Sequence, residues 1–500
     1  MLMVTVSLLV LFVVSVWLYG RHKYSYWAKR GILTPPITPL LGHLDRIGST
    51  KQGRWMFDIE VYQKYSRNGL AGGYMMLSPF LYVCEPEMIR SIFIKDFDHF
   101  TDRQVFKSPN KKDQCMNDML TNVNGEQWKK LRAIMSPTFT SGKMKNLFHL
   151  VCEKADALVA YSLAESTKKP FLNMKHNFGR FTIDTIASCA FGVECNSLVD
   201  ENAEFPKKAD PFFEIGFFRM IIFLMFGIAP KLFSILGLSL FPKETQFFKN
   251  VVEETLAARR KGTKRGDFLD LLLEAQSGED LGDPSKKKVL EDDTIIAQCV
   301  LFIIAGYDTS STTLAFAAYE LAKNSDKQQL LREEIQDAIS QNNGMTYQAI
   351  MESKYLEACI SETLRKYPPA PMLERICSKD YRIPGTDLTV PKALSVQVPV
   401  YAIHHDEKFW PEPEVFKPER FLPENKNDLT NYTYMPFGLG PRNCLAMRFA
   451  QMEAKVALAK LVLAAELTLA PGHEELVLST GFALLKPQKV NLVLNPLNEE

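Results

Sequence analysis

The chain lacks an excess of either sign of charge. Its 500 residues include 59 Lys and Arg against 58 Asp and Glu, which gives a formal net charge of +1. A chain so close to neutral has no bulk electrostatic attraction to nucleic acid, and we expect no nucleic-acid partner. The interior also lacks a stretch of linker composition. Because 46% of the residues are hydrophobic, we expect one large catalytic unit with a large core.

Paired cysteines are missing as well. The nine cysteines are scattered, and none belongs to a C-x-x-C pair. An odd number without paired spacing argues against a disulfide framework and favours reduced thiols in the cytosol. The adjacent His404 and His405 are not interpreted as metal ligands, because neighbouring residues of an extended segment point in opposite directions.

The first twenty residues contain no charged side chain. Residues 1–20 are rich in Leu and Val and have about the length that spans a bilayer. Arg21, Lys23, Lys29 and Arg30 follow, which places the C-terminal side in the cytoplasm. The basic start and small-residue cleavage site of a signal peptide are not evident. We therefore expect a transmembrane anchor over 1–20. The alternative is a buried core helix.

A proline-rich segment follows the expected anchor. Pro35, Pro36 and Pro39 stiffen the chain and stop a helix. We expect residues 21–44 to form a basic, proline-rich hinge and residues 45–500 to form the catalytic domain.

The stretch Met435 to Lys455 places a cysteine at the junction of a loop and a helix. Turn-forming residues precede Cys444, and apolar residues at helical spacing follow it. A helix N-terminus favours a thiolate over a thiol, and Arg442 supplies a cation for an acidic group on a binding partner. A lone cysteine in this position is more often a small buried core residue.

The surrounding pattern resembles the haem-binding loop of cytochromes P450, F-x-x-G-x-R-x-C-x-G. Phe437, Gly440, Arg442 and Cys444 match, and Ala446 replaces the last glycine. The resemblance implies a mainly α fold with small β-sheets and haem b as the cofactor. It also implies that Cys444 is the axial ligand of the haem iron, which is the one metal expected. Phe437 and Arg442 are then expected to contact the haem.

A long helix is predicted from Asp292 to about Lys323. Within it Ala305 and Thr309 are four residues apart and share one face. The Thr309 hydroxyl can bond back to a carbonyl one turn earlier and loosen the helix. Taken alone, this is a patch of small residues for helix packing. It resembles the P450 motif A-G-x-D/E-T, which implies that Asp308 and Thr309 deliver protons and that Ala305 packs against the haem.

Further cations are expected around the haem. Trp128 and Arg132 are four residues apart, so both can donate to a carboxylate from one helical face. They resemble the W-x-x-x-R pair of P450s, whose helix contacts the haem propionates. The resemblance assigns Arg103 and Arg375 to the propionates as well.

A structural lock and a substrate lining follow from the same resemblance. Glu362 and Arg365 form an E-x-x-R pair, and Arg420 of the sequence FKPERF is its expected partner. Residues 211–242 are very apolar and are interpreted as substrate-access helices that touch the membrane, or as ordinary buried core. The residues expected to line the substrate pocket are Ala370, Met372, Leu373 and Phe482.

The resemblance covers essentially the whole chain and is strongest to microsomal P450s, the group of the vertebrate liver drug-oxidising enzymes and related invertebrate enzymes. It implies a monooxygenase that takes electrons from NADPH through NADPH–cytochrome P450 reductase, with cytochrome b5 as a further candidate partner. The expected substrate is a lipophilic xenobiotic, steroid or fatty acid. The expected location is the endoplasmic reticulum membrane, single-pass, with the catalytic domain in the cytosol. The alternatives are a peroxide isomerase or dehydratase and a haem sensor or carrier.

Overall fold

Helices form most of the chain, and its β-strands are short. The computed structural model describes residues 2–48, 53–105, 107–200, 202–213, 217–262, 265–277, 290–480 and 484–497. The mainly α architecture with small sheets is therefore confirmed.

The α-helices vary in length from one turn to 32 residues. They are α1 Leu2–Ala28, α2 Leu44–Ile47, α3 Arg54–Glu60, α4 Pro86–Arg90, α5 Gln114–Asn117, α6 Gly125–Met135, α7 Ser141–Ser166, α8 Met174–Ile186, α9 Glu204–Ala209, α10 Phe217–Ile228, α11 Pro230–Ile235, α12 Thr245–Arg260, α13 Phe268–Ser277, α14 Asp292–Lys323, α15 Ser325–Gln341, α16 Tyr347–Met351, α17 Lys354–Lys366, α18 Val400–His404 and α19 Met447–Ala464.

The strands form small sheets at the periphery of the helices. They are β1 Leu70–Met75, β2 Ser78–Val83, β3 Leu172–Asn173, β4 Leu373–Ile376, β5 Tyr381–Arg382, β6 Thr389–Val390, β7 Ser395–Val398, β8 Ala465–Leu469 and β9 Asn491–Pro496. The four-stranded sheet has the order β1-β2-β7-β4, in which β2 and β7 are parallel and the other pairs antiparallel. The others are β3-β9-β8 and β5-β6.

Helix α14 has the predicted bounds, Asp292–Lys323. It runs through the core and is buried along most of its length. It packs closely on α8 because Gly306 has no side chain. A Cβ at Gly306 would lie 2.4 Å from Cδ1 of Ile186 in α8. The glycine of the A-G-x-D-T sequence therefore serves helix packing in this fold, in addition to bordering the cavity described below.

The segment predicted to be a hinge is docked onto the catalytic domain. Helix α1 continues past the expected anchor to Ala28. Trp27, which is 1% exposed, donates from Nε1 to the carbonyl of Gly73 at 3.0 Å. Its ring lies against Gly72, whose N–H donates to the Leu33 carbonyl at 2.8 Å. The hinge over residues 21–44 stays a prediction, and these contacts show that Trp27 and Leu33 within it lie against the β1 strand. Sequence reasoning missed the docking because its partners are glycines distant in sequence.

Apolar side chains remain exposed on α1. Leu2 is 81% exposed, Met3 86% and Trp17 55%. Among the described residues, the helix that is long and apolar enough to cross a membrane is α14, and 72% of its most apolar window is buried inside the protein. Burial of that kind is typical of a core helix.

One carboxylic acid lies fully buried in the described part of the core. Glu453 of α19 is fully buried, and neither of its oxygens has a hydrogen-bond partner among the described residues. Burial raises the pKa of Glu453 from its usual 4.5 to about 8, since the charged form is poorly solvated there, although the nearby Ser310 hydroxyl acts in the opposite direction. Between these values the native state holds a proton that the unfolded state has released. Stability therefore falls as pH rises from about 4.5 to about 8.

Replacing Glu453 by glutamine is expected to remove that loss. At pH near 8 the variant should be more stable than the wild type by about 1 to 3 kcal/mol, because a neutral amide needs no proton. The gain should shrink as the pH is lowered. Thermal unfolding of the holoprotein across this pH range measures it, with the exposed Glu466→Gln as control. Parallel pH profiles for Glu453→Gln and wild type would contradict the assignment.

Candidate active site

A cavity of about 490 Å³ lies in the core, bordered by α6, α14, the chain after α17 and the residues before α19. Most of its lining side chains are apolar. The predicted residues that line it are Arg103, Trp128, Arg132, Ala305, Thr309, Ala370, Met372, Leu373, Phe437, Arg442 and Cys444. Phe482 lies outside the described residues. Leu484, two positions further along the chain, does line the cavity.

The Cys444 loop, residues 435–446, holds its cysteine through the backbone. The Cys444 N–H donates to the carbonyl of Phe437 at 2.8 Å. Gly440 has a φ of 69°, and a Cβ there would lie 1.9 Å from the Phe93 carbonyl oxygen. This glycine is therefore required by its contact with the protein backbone. The loop ends where α19 begins, at Met447.

The Cys444 thiol opens onto the cavity. Burial within the protein raises the pKa of Cys444, while the backbone N–H of Ala446 and the cations of Arg132 and Arg103 act in the opposite direction. The predicted stabilisation of a thiolate by this junction is thus present but outweighed by burial. A cation bound to the sulfur would supply the missing stabilisation, as a metal ion does for a coordinating thiol.

Two arginines at the cavity are held by the Cys444 loop itself. Arg132 donates to the carbonyl and to Oδ1 of Asn443, both at 2.8 Å, and Arg103 donates to the Arg442 carbonyl at 2.9 Å. Asn443, which lines the cavity, was not marked by the sequence, because its position inside the motif is an undefined x. These bonds orient the guanidinium groups at the cavity wall.

Two further arginines lie deeper. Arg442 is 3% exposed and donates to the carbonyls of Thr101 at 2.5 Å and Val123 at 2.6 Å. Arg375 is fully buried behind the lining, and its Nε has no hydrogen-bond partner among the described residues. Sequence reasoning placed both beside the ligand. The structure places the Arg442 guanidinium mainly against backbone carbonyls.

The four arginines have too few acidic groups around them to balance their positive charge. Burial lowers the pKa of Arg103, Arg132 and Arg442, the last to about 9. Burial, then Arg103 and then Arg442 lower the pKa of Arg375 far below its usual value, and Glu374 opposes them. A buried cluster of like charges favours an anionic ligand. A flat group with two carboxylates and a central metal ion fits both the arginines and the Cys444 thiol. Haem b has this composition.

Helix α14 presents Ala305 and Thr309 to the cavity. The Thr309 hydroxyl donates to the Ala305 carbonyl at 2.7 Å, which is the predicted bond to the preceding turn. Thr313 repeats the pattern by donating to the Thr309 carbonyl at 3.0 Å. The Thr309 hydroxyl oxygen consequently keeps its lone pairs for a group or water in the cavity.

Comparison with known proteins agrees with this geometry. A family model described as Cytochrome P450 matches residues 33–494. The chain belongs to the cytochrome P450 family. Membership makes it a haem monooxygenase, and it implies the iron-containing group that the cavity fits.

Relatives from mammals and an insect resemble this P450 along nearly its whole length. It is 39% identical to Cytochrome P450 3A41 of Mus musculus over 462 residues, which cover 91% of this chain and 89% of the mouse protein. It is 36% identical to Cytochrome P450 9e2 of Blattella germanica over 477 residues, covering 90% and 89%. Cytochrome P450 3A5 of Homo sapiens is also 36% identical, over 461 residues, covering 91% and 89%. These relatives confirm the resemblance to the group of drug-oxidising enzymes.

Asp308 does not share the cavity with Thr309 in this P450. Its carboxylate lies 2.6 Å from Lys175 Nζ and 3.7 Å from Lys486 Nζ, and Lys175 also donates to the Ser311 hydroxyl at 2.6 Å. Successive residues of an α-helix point about 100° apart, so the two side chains do not meet as a direct acid–alcohol pair. Sequence adjacency could not reveal this orientation.

Glu362, Arg365 and Arg420 meet away from the cavity. Arg365 Nε lies 2.8 Å from one Glu362 oxygen, and Arg420 Nε lies 3.4 Å from the other. Glu362 and Arg365 are fully buried. Arg365 also donates to the carbonyls of His404 at 2.7 Å and Pro413 at 2.6 Å. The predicted three residues are thus brought together in this P450, with backbone carbonyls that the sequence did not indicate.

Several lining residues of the cavity have no motif to mark them. They lie on helices and loops whose faces toward the cavity are set by tertiary packing, and include Leu120, Leu301, Phe302, Leu364, Leu445 and Phe449. For Leu445 and Phe449 the helical spacing after Cys444 was an available signal.

Proposed function

We propose that this P450 oxidises lipophilic small molecules with electrons from NADPH, delivered by NADPH–cytochrome P450 reductase. The observation that carries the proposal is that the Cys444 thiol and the Thr309 hydroxyl line one largely apolar cavity. A xenobiotic, a steroid or a fatty acid fits a cavity of that character. The similarity to drug-oxidising relatives such as Cytochrome P450 3A5 favours a xenobiotic.

The cofactor assignments are part of the proposal. Cys444 would ligate the haem iron, and Arg103 and Arg132 would hold the carboxylates, with Arg375 and Arg442 adding positive charge behind them. Trp128, Ala305 and Phe437 would contact the flat faces and edges. Bound haem supplies an iron that activates O2, and a thiolate ligand favours cleavage of the O–O bond. Ala370, Met372, Leu373 and Phe482 would meet the substrate.

Protons would reach the cavity through α14. Thr309 is placed to hold a water molecule or a proton at its hydroxyl oxygen, because its own hydrogen is donated to Ala305. Asp308 would exchange protons with solvent beside Lys486, whose side chain is 25% exposed. A proton would then pass from Asp308 to Thr309 through a side-chain rotation or an intervening water.

Replacing Thr309 by alanine is expected to keep the haem but uncouple NADPH oxidation from product formation. The loss of a positioned proton carrier should reduce product formed per NADPH by about 10-fold or more. The ratio is measured with purified enzyme and reductase. Thr312→Ala, on a buried face of the same helix, is the control. Equal ratios for Thr309→Ala and the wild type would contradict the role of Thr309.

The reaction itself is tested by supplying isotopically labelled O2 with reductase, NADPH and a substrate panel. One labelled oxygen atom in the product, formed only when NADPH and reductase are present, is the expected result. Turnover of an organic peroxide without NADPH, with no label incorporated, would instead indicate a peroxide isomerase. Spectral binding without any product would indicate a carrier.

We also propose that α1 anchors the enzyme in the endoplasmic reticulum membrane as a single span, with the catalytic domain in the cytosol. Residues 2–20 would extend about 28 Å as a helix, close to the roughly 30 Å hydrocarbon thickness of a bilayer. The exposed Leu2, Met3 and Trp17 support a lipid contact. Ile228 and Ile235 of the second apolar region, α10 and α11, are 66% and 81% exposed, which favours a further contact with the bilayer.

Deletion of residues 2–20 is expected to release most of the enzyme from the membrane fraction, because it removes the apolar helix segment proposed to span the bilayer. Carbonate extraction and sedimentation measure this. Leu232→Glu combined with Ile235→Glu in α11 should release the remainder. Unchanged retention of the deleted protein would contradict the anchor assignment.

A further inference from the structure

His404 connects the end of α17 to the beginning of the Cys444 loop. It is the last residue of α18 and is fully buried. One ring nitrogen, Nδ1, lies 3.0 Å from the Arg365 carbonyl oxygen. The other, Nε2, accepts the N–H of Met435 at 3.0 Å. The sequence predicted an extended segment here, and that prediction is wrong: His404 ends a helix.

The two partners define the tautomer of His404. A carbonyl only accepts and a backbone N–H only donates, so Nδ1 must carry the hydrogen and Nε2 must be bare. Burial, with smaller effects of His405 and Arg365, lowers the pKa of His404 far below its usual value. The ring is stacked on Tyr434, with centroids 5.7 Å apart and planes inclined by 20°. The neutral ring is therefore fixed in position and orientation.

At α17, His404 binds the same residue that forms the structural lock. The Arg365 carbonyl lies in the last turn of α17, where helix carbonyls lack intrahelical partners. Arg365 in return donates from Nη1 to the His404 carbonyl at 2.7 Å, and its Nε lies 2.8 Å from Glu362. His404 is thus held to a rigid, buried ion pair.

At the Cys444 loop, His404 binds the turn that holds the cysteine. The Met435 carbonyl accepts the N–H of Gly438 at 3.0 Å. Inside that turn, the Phe437 carbonyl accepts the N–H of Cys444 at 2.8 Å. Consecutive hydrogen bonds therefore lead from Arg365 through His404 and Met435 to the backbone of Cys444.

We propose that His404 is a positioning residue that fixes the Cys444 sulfur for iron ligation by tying the 435–438 turn to the lock. The proposal rests on the ligand role of Cys444 proposed above. Without the His404 ring, the buried Met435 N–H would lose its partner. The free-energy cost of that unpaired N–H would favour a rearrangement of the turn toward another acceptor. Cys444 would move with it.

The neighbouring histidine offers a matched control. Among the described residues, the His405 ring makes a hydrogen bond from Nδ1 to the Tyr401 carbonyl at 2.8 Å and a stack on the Tyr401 ring with centroids 4.0 Å apart. Both are local to the region of α18. Removal of the His405 ring, which is partly buried, therefore tests the loss of an adjacent imidazole without loss of the link to Met435.

The test compares His404→Leu, His404→Asn, His404→Gln and His405→Leu as purified holoproteins. The amide of Asn ends near the position of Nδ1 and can serve Arg365, whereas the longer Gln reaches the position of Nε2 and can accept from Met435. Thiolate-ligated haem is quantified by the carbon monoxide difference spectrum of the reduced protein and divided by total haem. Far-UV circular dichroism reports the fold separately.

His404→Leu and His404→Asn are expected to lower the ratio of thiolate-ligated to otherwise ligated haem about tenfold, as one unpaired buried N–H would. His404→Gln and His405→Leu should remain near the wild-type ratio. A wild-type ratio in His404→Leu, or equal ratios in the Asn and Gln variants, would overturn the proposal; the latter comparison decides even if His404→Leu does not fold. Cys444→Ala separates the two hypotheses, because an undiminished thiolate signal there would reject the ligand itself.

Discussion

Folded holoprotein is not expected to accumulate when Glu362 is replaced by alanine. The substitution would leave Arg365, which is fully buried, and the 9%-exposed Arg420 without the carboxylate that lies between them. Removing one partner of a buried ion pair costs about 3 to 5 kcal/mol, a large part of the stability of an ordinary domain. The yield of soluble haem-containing protein measures the effect.

An exposed ion pair provides the control for Glu362→Ala. Asp387 pairs with Arg382 at 2.6 Å, but their side chains are 100% and 68% exposed. Asp387→Ala should change the yield little, because solvent screens such pairs. Glu362→Gln should recover part of the yield, since the amide oxygen can still accept from Arg365. Normal haem incorporation in Glu362→Ala would show that the three residues do not lock the fold.

Replacing Cys444 by alanine is expected to abolish the carbon monoxide difference band that marks thiolate ligation and to reduce NADPH-dependent product formation by more than about 100-fold. Among the described residues, the other cysteine that lines the cavity is Cys189, and it is only 1% exposed. The protein should still fold, because the backbone bond from residue 444 to Phe437 does not require the thiol.

Cys152→Ala controls for the loss of a thiol. Cys152 lies on α7, is partly buried and does not line the cavity. Its variant should have the spectrum and activity of the wild type. A thiolate signal that survives in Cys444→Ala would contradict the assignment. A signal lost equally in both variants would attribute the effect to general damage.

Motifs located much of the site from sequence, for a physical reason. The residues in and near the Cys444 motif, and the pair Trp128 and Arg132, belong to short segments whose backbone is set locally by turns and helical periodicity. Local structure therefore fixes how these residues point relative to one another. These segments line one cavity, as the resemblance predicted.

Features set by packing between distant segments were not predictable in this way. Gly306 adjoins Ile186 of α8, and Gly440 adjoins the backbone of Phe93, so neither glycine is explained by its motif alone. Asp308 faces Lys175 and Lys486, which are far from it in sequence. The direction of a side chain that pairs across the core depends on tertiary structure, and a single sequence carries little information about it.

If α1 anchors the enzyme as proposed, the docking of Trp27 has a mechanical consequence. Because the helix continues without interruption from Leu2 to Ala28 and its end is bonded to Gly73, the catalytic domain cannot swivel freely about its anchor. A change in the tilt of α1 within the lipid would rotate the whole domain as a lever. Bilayer thickness would thereby set how deeply the exposed apolar surface of α10 and α11 meets the membrane, and with it the direction from which dissolved lipophilic molecules approach.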